Sequence, residues 1–408
     1  MNYNSINHLA RLAANPPQFY LNARKMRLVG LLERLCQELE LTIAQLELAR
    51  RRYEGVGAWL AASDEPLLRA LAIYLQGSTA LGTTVRPLGR NEHDVDLIAH
   101  NRNGTPIAPA IVKAAVGRRL KENGHYAPLL EEKARCWRLT YANEFHLDIT
   151  PSIPNPACGN GGELVPDKAA REWKASNPKG YRSLFERRAA LVPQLRVTAV
   201  DRAMVSKSGE VEPFPDTEGF KCILQRIVQI AKRHRDVHFE HLPLGLAPIS
   251  VILTTLLSQS YEFCVRQFVY DTEFDLLCDV LRRMPHFIEQ QSDGRRTLWF
   301  VWNETTQGEN FAEKWNDDAR LPQAFFRWHA QAVTDLEVLA DLQGMDVISK
   351  HLGGAFGSSL ATKVMNTLTA GVSENRSSGM LKVAPGIGLT TAAVAATPVR
   401  ANTFFGAP

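Results

Sequence analysis

Cysteine is scarce and scattered in this chain: six residues among 408, at positions 36, 136, 158, 222, 264 and 278. No CxxC pair and no Cys/His ligand spacing occurs, which argues against a disulfide framework or structural zinc and makes a reducing cytoplasm the simpler setting. Long apolar runs are missing too. The longest, around residues 249–257, is far too short to span a bilayer, and the opening MNYNSINHLARL lacks the apolar centre of a signal peptide. Strong charge of either sign is also absent. A net +4 suits nucleotide substrates and speaks against duplex nucleic acid or a membrane as partner. What remains is length and apolar content. With 408 residues, 45% of them hydrophobic, the chain can bury a large core, as one bilobal unit or two domains.

The most informative stretch is 75–100, LQGSTALGTTVRPLGRNEHDVDLIAH. Residues 70–76 form a short apolar run closed by Gly77, which predicts a buried strand breaking at a tight turn. In HDVDLIAH, Asp94 and Asp96 alternate with Val95 and Leu97, so a strand here turns both carboxylates to one face. Two carboxylates about 6–7 Å apart repel unless a cation sits between them. Mg²⁺ is the hard cation suited to an all-oxygen site that keeps positions open for water and phosphate. Residues 136–142 and 145–149 predict two more strands around an Asn-Glu turn, with His146 and Asp148 sharing a face and Pro151 and Pro154 stopping the second strand. Asp148 thus supplies a third carboxylate. A Gly77-Ser78 turn facing it offers N–H groups and a hydroxyl to a phosphate chain, the makings of two-metal phosphoryl transfer.

This ordered set, Gly77-Ser78, Asp94-Val95-Asp96 and Asp148, resembles the signature of the polymerase-β-like nucleotidyltransferases. REWKASNPKGY (171–181), LQRIVQIAKRHRD (224–236), PISVILTTL (248–256) and ENFAEKW (309–315) make the chain similar to their cGAS/DncV-like branch, the CD-NTases of bacterial CBASS anti-phage defence. The resemblance spans roughly residues 20–330. It implies an α/β (α+β) polymerase-β-like core with a mixed or antiparallel sheet, a helical second lobe and a cleft between them. It also implies catalytic, metal-binding roles for Asp94, Asp96 and Asp148 with two Mg²⁺ ions (or Mn²⁺), and nucleotide binding by Gln76, Gly77, Ser78, Lys232 and Ser250. Lys232 matches a lysine that neutralises the donor triphosphate, and Ser250 the serine paired with it. One departure is Val251, where the eukaryotic relative has a base-stacking aromatic; another is Asn303-Glu304 in place of Asn-Pro.

Elsewhere the apolar spacing of residues 17–55 predicts one long spine helix bracing the catalytic sheet. Residues 151–216, rich in proline and glycine, read as a crossover, and 220–236 as the first helix of the second lobe. On periodicity alone Lys232 borders that helix's apolar face, where lysines ordinarily snorkel to water. His234, His238 and His241 read as surface histidines, since no carboxylate or cysteine stands at ligand spacing. Asn310, Phe311 and Trp315 read as packing residues. The expected division is a nucleotidyltransferase lobe at 1–215, a helical lobe at 216–348 and a flexible tail at 349–408. The tail resembles those that an E1/E2-like ancillary protein conjugates, although Pro408 departs from their small terminal residue. The function implied is Mg²⁺-dependent joining of nucleoside triphosphates into a cyclic di- or trinucleotide messenger in the cytoplasm. Transfer of one nucleotide to RNA, protein or a small molecule is the alternative.

Overall fold

Two apolar cores organise the chain, and the computed structural model describes them over residues 18–69, 71–89, 93–105, 107–141, 145–167, 171–196, 221–384, 388–390 and 397–399. The predicted spine is two helices, α1 (Gln18–Leu39) and α2 (Ile43–Ala61). Thr42 separates them by capping α2: its hydroxyl accepts from the Gln45 N–H at 3.2 Å, and the Gln45 side chain accepts from the Thr42 N–H at 2.9 Å. The helices serve different cores. Leu28, Leu31, Leu32, Leu35 and Leu39 of α1 join the helical core, whereas Ala49, Val56 and Leu60 of α2 pack against the sheet. Only α2 braces the catalytic sheet, a correction to the single spine.

That sheet has seven strands: β1 (Leu71–Gln76), β2 (His93–Asn101), β3 (Leu130–Glu132), β4 (Trp137–Tyr141), β5 (Phe145–Pro154), β6 (Glu163–Asp167) and β7 (Glu172–Ser176). Their order is β1-β2-β5-β4-β3, with β6 added to β5 and β7 to β6. β2 and β5 run parallel and the other pairs antiparallel, so the sheet is mixed. Alternation holds on the two central strands. Val95, Leu97, Leu147 and Ile149 are buried, while Asp94, Asp96, His146 and Asp148 face the other way. β5 runs past Pro151, where a stop was expected. β4 ends opposite Ile149, so no antiparallel neighbour on that side needs the N–H that proline lacks. After β1 the chain enters a short helix, α3 (Gly77–Leu81), and α4 (Pro109–Lys121) presses Ala115, Val116 and Leu120 onto the sheet's apolar face.

From β7 the chain passes to α5 (Pro178–Ala189), where the Asn177 side chain caps the helix by accepting from the Gly180 N–H at 2.9 Å. The helical core follows: α6 (Ile223–Phe239), α7 (Ser250–Gln267), α8 (Glu273–Arg283), α9 (Arg320–Leu339), α10 (Met345–Phe356) and α11 (Ser358–Ser377). The last two overturn the flexible tail expected from 349. Leu352, Phe356, Leu360 and Val364 recur every fourth residue and are buried in the helical core. The small-residue composition around them had concealed that stripe. Residues 402–408, the expected partner handle, lie outside the described residues. Among the described residues no helix is long and apolar enough to cross a membrane.

Candidate active site

A cleft of about 510 Å³ lies between the polar sheet face and the helical lobe, within the usual range for small-molecule sites. Gln76, Gly77 and Ser78 line one wall with Asp94 and Asp96. Lys232, Arg235, Ser250 and Val251 line the wall opposite. The structure therefore brings together seven of the eight residues singled out from sequence.

The approach of the turn to the acidic strand depends on glycine. Gly77 has φ +64°, and a Cβ built on it would stand 2.5 Å from Asp96 Oδ2. An alanine would meet both the left-handed backbone penalty and the carboxylate. The register explains this proximity, since Gln76 pairs directly with Asp96 across β1 and β2.

Asp148, the eighth residue, pairs with Asp96 in the parallel register of β2 and β5 and shares its face. It does not line the cleft itself. Arg138 on β4 holds it in a fork, Nε to Oδ1 at 2.7 Å and Nη2 to Oδ2 at 2.8 Å, and reaches Asp94 Oδ1 at 3.3 Å. A bidentate pair of this kind is charge-assisted and directional. The hydrogen bond to Asp148 is the main cause raising the Arg138 pKa above its ordinary value. Arg138 thus supplies the cation that three neighbouring carboxylates require. Burial, then Asp148 and Asp94, push the Asp96 carboxyl up to about 7.

That crowding is what a divalent cation relieves, and Asp94 and Asp96 are oxygen donors of the kind that suit Mg²⁺. Among the described residues no three His, Cys, Asp or Glu side chains stand ready as a ligand group. With Asp148 engaged by Arg138, Asp94 and Asp96 are the donors that face the cleft.

Lys232 is buried rather than snorkelling. It is 5% exposed, and its Nζ donates to the Thr83 carbonyl at 3.1 Å and to Thr83 Oγ1 at 3.2 Å. Desolvation lowers its pKa to about 7, so an arriving anion would find an ammonium short of counter-charge. Ser250 opens α7, and its hydroxyl accepts from Arg235 Nη1 at 3.0 Å. Arg235 follows Lys232 by three residues on α6, the spacing that places two side chains on one helix face.

Arg86 turns to the Glu40 carbonyl at 2.7 Å and serves the fold; Arg90 lies outside the described residues. Of the three histidines His241 is exposed as expected and His238 is half-buried, but His234 is not at the surface. His234 is buried, bonded through Nε2 to Asp335 at 3.0 Å and through Nδ1 to the Trp328 N–H at 3.1 Å. Trp315 packs in the core as expected, but Phe311 lines the cleft beside Tyr181, the rings edge to face at 5.8 Å. Sequence reasoning passed over Arg138, Arg235, Tyr181 and Phe311 in these roles. Arg138 stands opposite Asp148 because Tyr141 pairs with Phe145 across β4 and β5, one place off the register that the expected Asn-Glu turn implies.

Residues 26–188 match the Second Messenger Oligonucleotide or Dinucleotide Synthetase domain. A c-di-GMP synthase of Roseivirga ehrenbergii is 28% identical over 386 residues, covering 94% of this chain and 98% of that protein. The cyclic dinucleotide synthase CdnG of Bradyrhizobium diazoefficiens is 25% identical over 77% of each chain. The structure of the Bradyrhizobium CD-NTase CdnG in complex with GTP superposes with a TM-score of 0.63 at 21% identity, covering 86% of this chain and 99% of that one. The fold is accordingly the mixed α/β, polymerase-β-like one that the sequence implied.

Proposed function

Because the chain belongs to the cGAS/DncV-like nucleotidyltransferases, we propose that it is a cyclic dinucleotide synthase using GTP as a principal substrate. The observation that carries the reading is the single cleft in which Gln76, Gly77, Ser78, Asp94 and Asp96 face Lys232, Arg235 and Ser250. The likeness to two cyclic dinucleotide synthases supports a ring of two, and the c-di-GMP product of one and the GTP bound to CdnG support guanine.

In each turn a ribose hydroxyl oxygen of the acceptor bonds to the donor α-phosphorus, and the α–β bridging P–O bond breaks to release pyrophosphate. The hydroxyl proton passes toward the Asp148 carboxylate, which Arg138 must first release. A second turn closes the ring. Asp94 and Asp96, joined by Asp148 once Arg138 releases it, would hold two Mg²⁺ or Mn²⁺ ions, which when bound supply neutralising charge for the triphosphate and acidify the attacking hydroxyl. The chain's own groups do the positioning. The turn at Gly77 and Ser78 offers N–H groups and a hydroxyl to phosphate oxygens, and Lys232 and Arg235 bring positive charge from the helical lobe. Val251 leaves base stacking to other side chains, and Phe311 and Tyr181 are the aromatic ones in the wall.

A role in anti-phage signalling belongs to the same reading, as do a cytoplasmic setting and an ancillary protein acting on the C-terminal residues. The decisive experiment incubates the enzyme with mixed labelled triphosphates and Mg²⁺. A phosphatase-resistant cyclic product, identified by mass spectrometry and nuclease P1 digestion, is expected. Asp94→Ala with Asp96→Ala should reduce it at least 1,000-fold while circular dichroism stays unchanged. Full activity in that double variant would refute the carboxylate assignment, and phosphatase-sensitive linear products alone would refute cyclisation.

A further inference from the structure

The cleft is also lined by a carboxylate that the phosphoryl chemistry does not use. Glu309 lines the cavity in a half-buried strip, between Asn303 and Phe311. Its two oxygens already have neutral donors. Asn303 Nδ2 donates to Oε2 at 2.7 Å, and Ser176 Oγ donates to Oε1 at 3.3 Å. Asn303 is itself fixed, its Oδ1 accepting from the Thr305 N–H at 3.0 Å and from Thr305 Oγ1 at 2.7 Å. The carboxylate is therefore held still, and each oxygen keeps accepting capacity to spare.

Lys174 and Arg135 act on it only from a distance. Among the described residues Glu309 makes no ion pair, since nearby Lys174 is engaged by Glu313 and Arg135 by Asp167. Burial raises its pKa from the ordinary carboxylate value. A desolvated, immobilised acceptor without a direct ion pair in a binding cleft awaits a ligand that donates.

The neighbouring wall says what kind. Glu309 and Phe311 flank Asn310, which bridges Trp302, and both line the cleft. Phe311, with Tyr181 edge to face against it, presents an aromatic surface in the same cleft. An aromatic face next to fixed hydrogen-bonding groups is the recurring way proteins hold and read an unstacked base.

We propose that Glu309 is the specificity-determining residue for one nucleobase, accepting from N1–H and the exocyclic N2 amine of guanine. Adenine offers an acceptor at N1 and a single amine donor at N6, so its N1 lone pair would oppose a carboxylate oxygen. The proposal rests on the nucleotidyltransferase reading and deepens it to a named base contact.

Glu309→Gln makes the sharper test, because an amide presents one acceptor and one donor, the complement of adenine. Titration calorimetry of GTP and ATP on wild-type enzyme and on the variant measures the preference without turnover. Wild-type enzyme should bind GTP at least tenfold tighter than ATP, and Glu309→Gln should lose that preference and take up ATP in its place. With equimolar GTP and ATP, the product from the variant should shift toward adenine in the same sense. Glu309→Ala should weaken GTP binding without gaining ATP. An unchanged GTP:ATP ratio in Glu309→Gln, or an ATP preference in the wild type, overturns the assignment. Should the wild type form no cyclic product from any triphosphate, the synthase reading fails, and the calorimetric ratio still decides for or against Glu309.

Discussion

At the scale of single residues the site turns on space as much as on charge. Gly77 is the clearest case, because its φ of +64° and the 2.5 Å approach of Asp96 Oδ2 leave no room for a methyl group. Gly77→Ala should cost about 1–2 kcal/mol in stability from the backbone alone. By displacing Asp96 it should lower turnover about 100-fold, a loss expected when reacting groups are misplaced by an ångström. Thermal melts and steady-state pyrophosphate release measure the two separately. Near-normal kcat would show that Asp96 does not need its observed position. Arg138 makes the complementary point about charge. The β4–β5 pairing sets it opposite Asp148, and its added reach to Asp94 exists only because β5 lies beside β2.

At the scale of elements, α10 and α11 change what counts as the folded unit. Leu352 and Val364 are fully buried and Phe356 is 1% exposed, all within the helical core. Each such side chain contributes about 1.5–3 kcal/mol through burial. Together they approach the whole net stability of about 5–15 kcal/mol typical of a domain. A chain ending at Gly344 should therefore be insoluble or lack a cooperative thermal transition. One ending at Ala384 should melt within a few degrees of the full chain. If the shorter chain melted normally, residues 345–384 would be an appendage after all. The division of labour between α1 and α2 has a local cause, the Thr42 and Gln45 capping box, and a global consequence, since it lets one pattern of leucines serve two cores.

At the scale of the whole molecule the two lobes meet through groups that carry a pH signature. Lys232 on α6 is buried against Thr83, which follows α3, and its pKa is lowered from 10.5 to about 7. Between those values the unfolded chain binds a proton that the folded chain has released. Stability of the nucleotide-free protein should then rise with pH from about 7 to 10.5, with the burial cost present in full below 7. A bound triphosphate restores the ammonium and should flatten the slope. Lys232→Met should remove it and stabilise the protein below pH 7. Melting temperatures across pH 6.5–10, with and without a non-hydrolysable triphosphate, provide the check. An identical slope in wild type and Lys232→Met would exclude this lysine as its source.

The sequence alone determined the chemistry of the sheet edge. Period-two alternation in HDVDLIAH and FHLDI leaves the aspartates one face, and a glycine-serine bend after an apolar run has few other uses. Those patterns are local and survive without knowledge of the fold. Only the tertiary structure decided that Lys232 is desolvated, that Arg138 grips Asp148, that Phe311 and Glu309 face the cleft, and that residues 345–377 belong to a core. Each of these depends on which distant surfaces meet. Burial, counter-charge and cavity walls are properties of pairs far apart in the chain, and no periodicity within a segment encodes its partner.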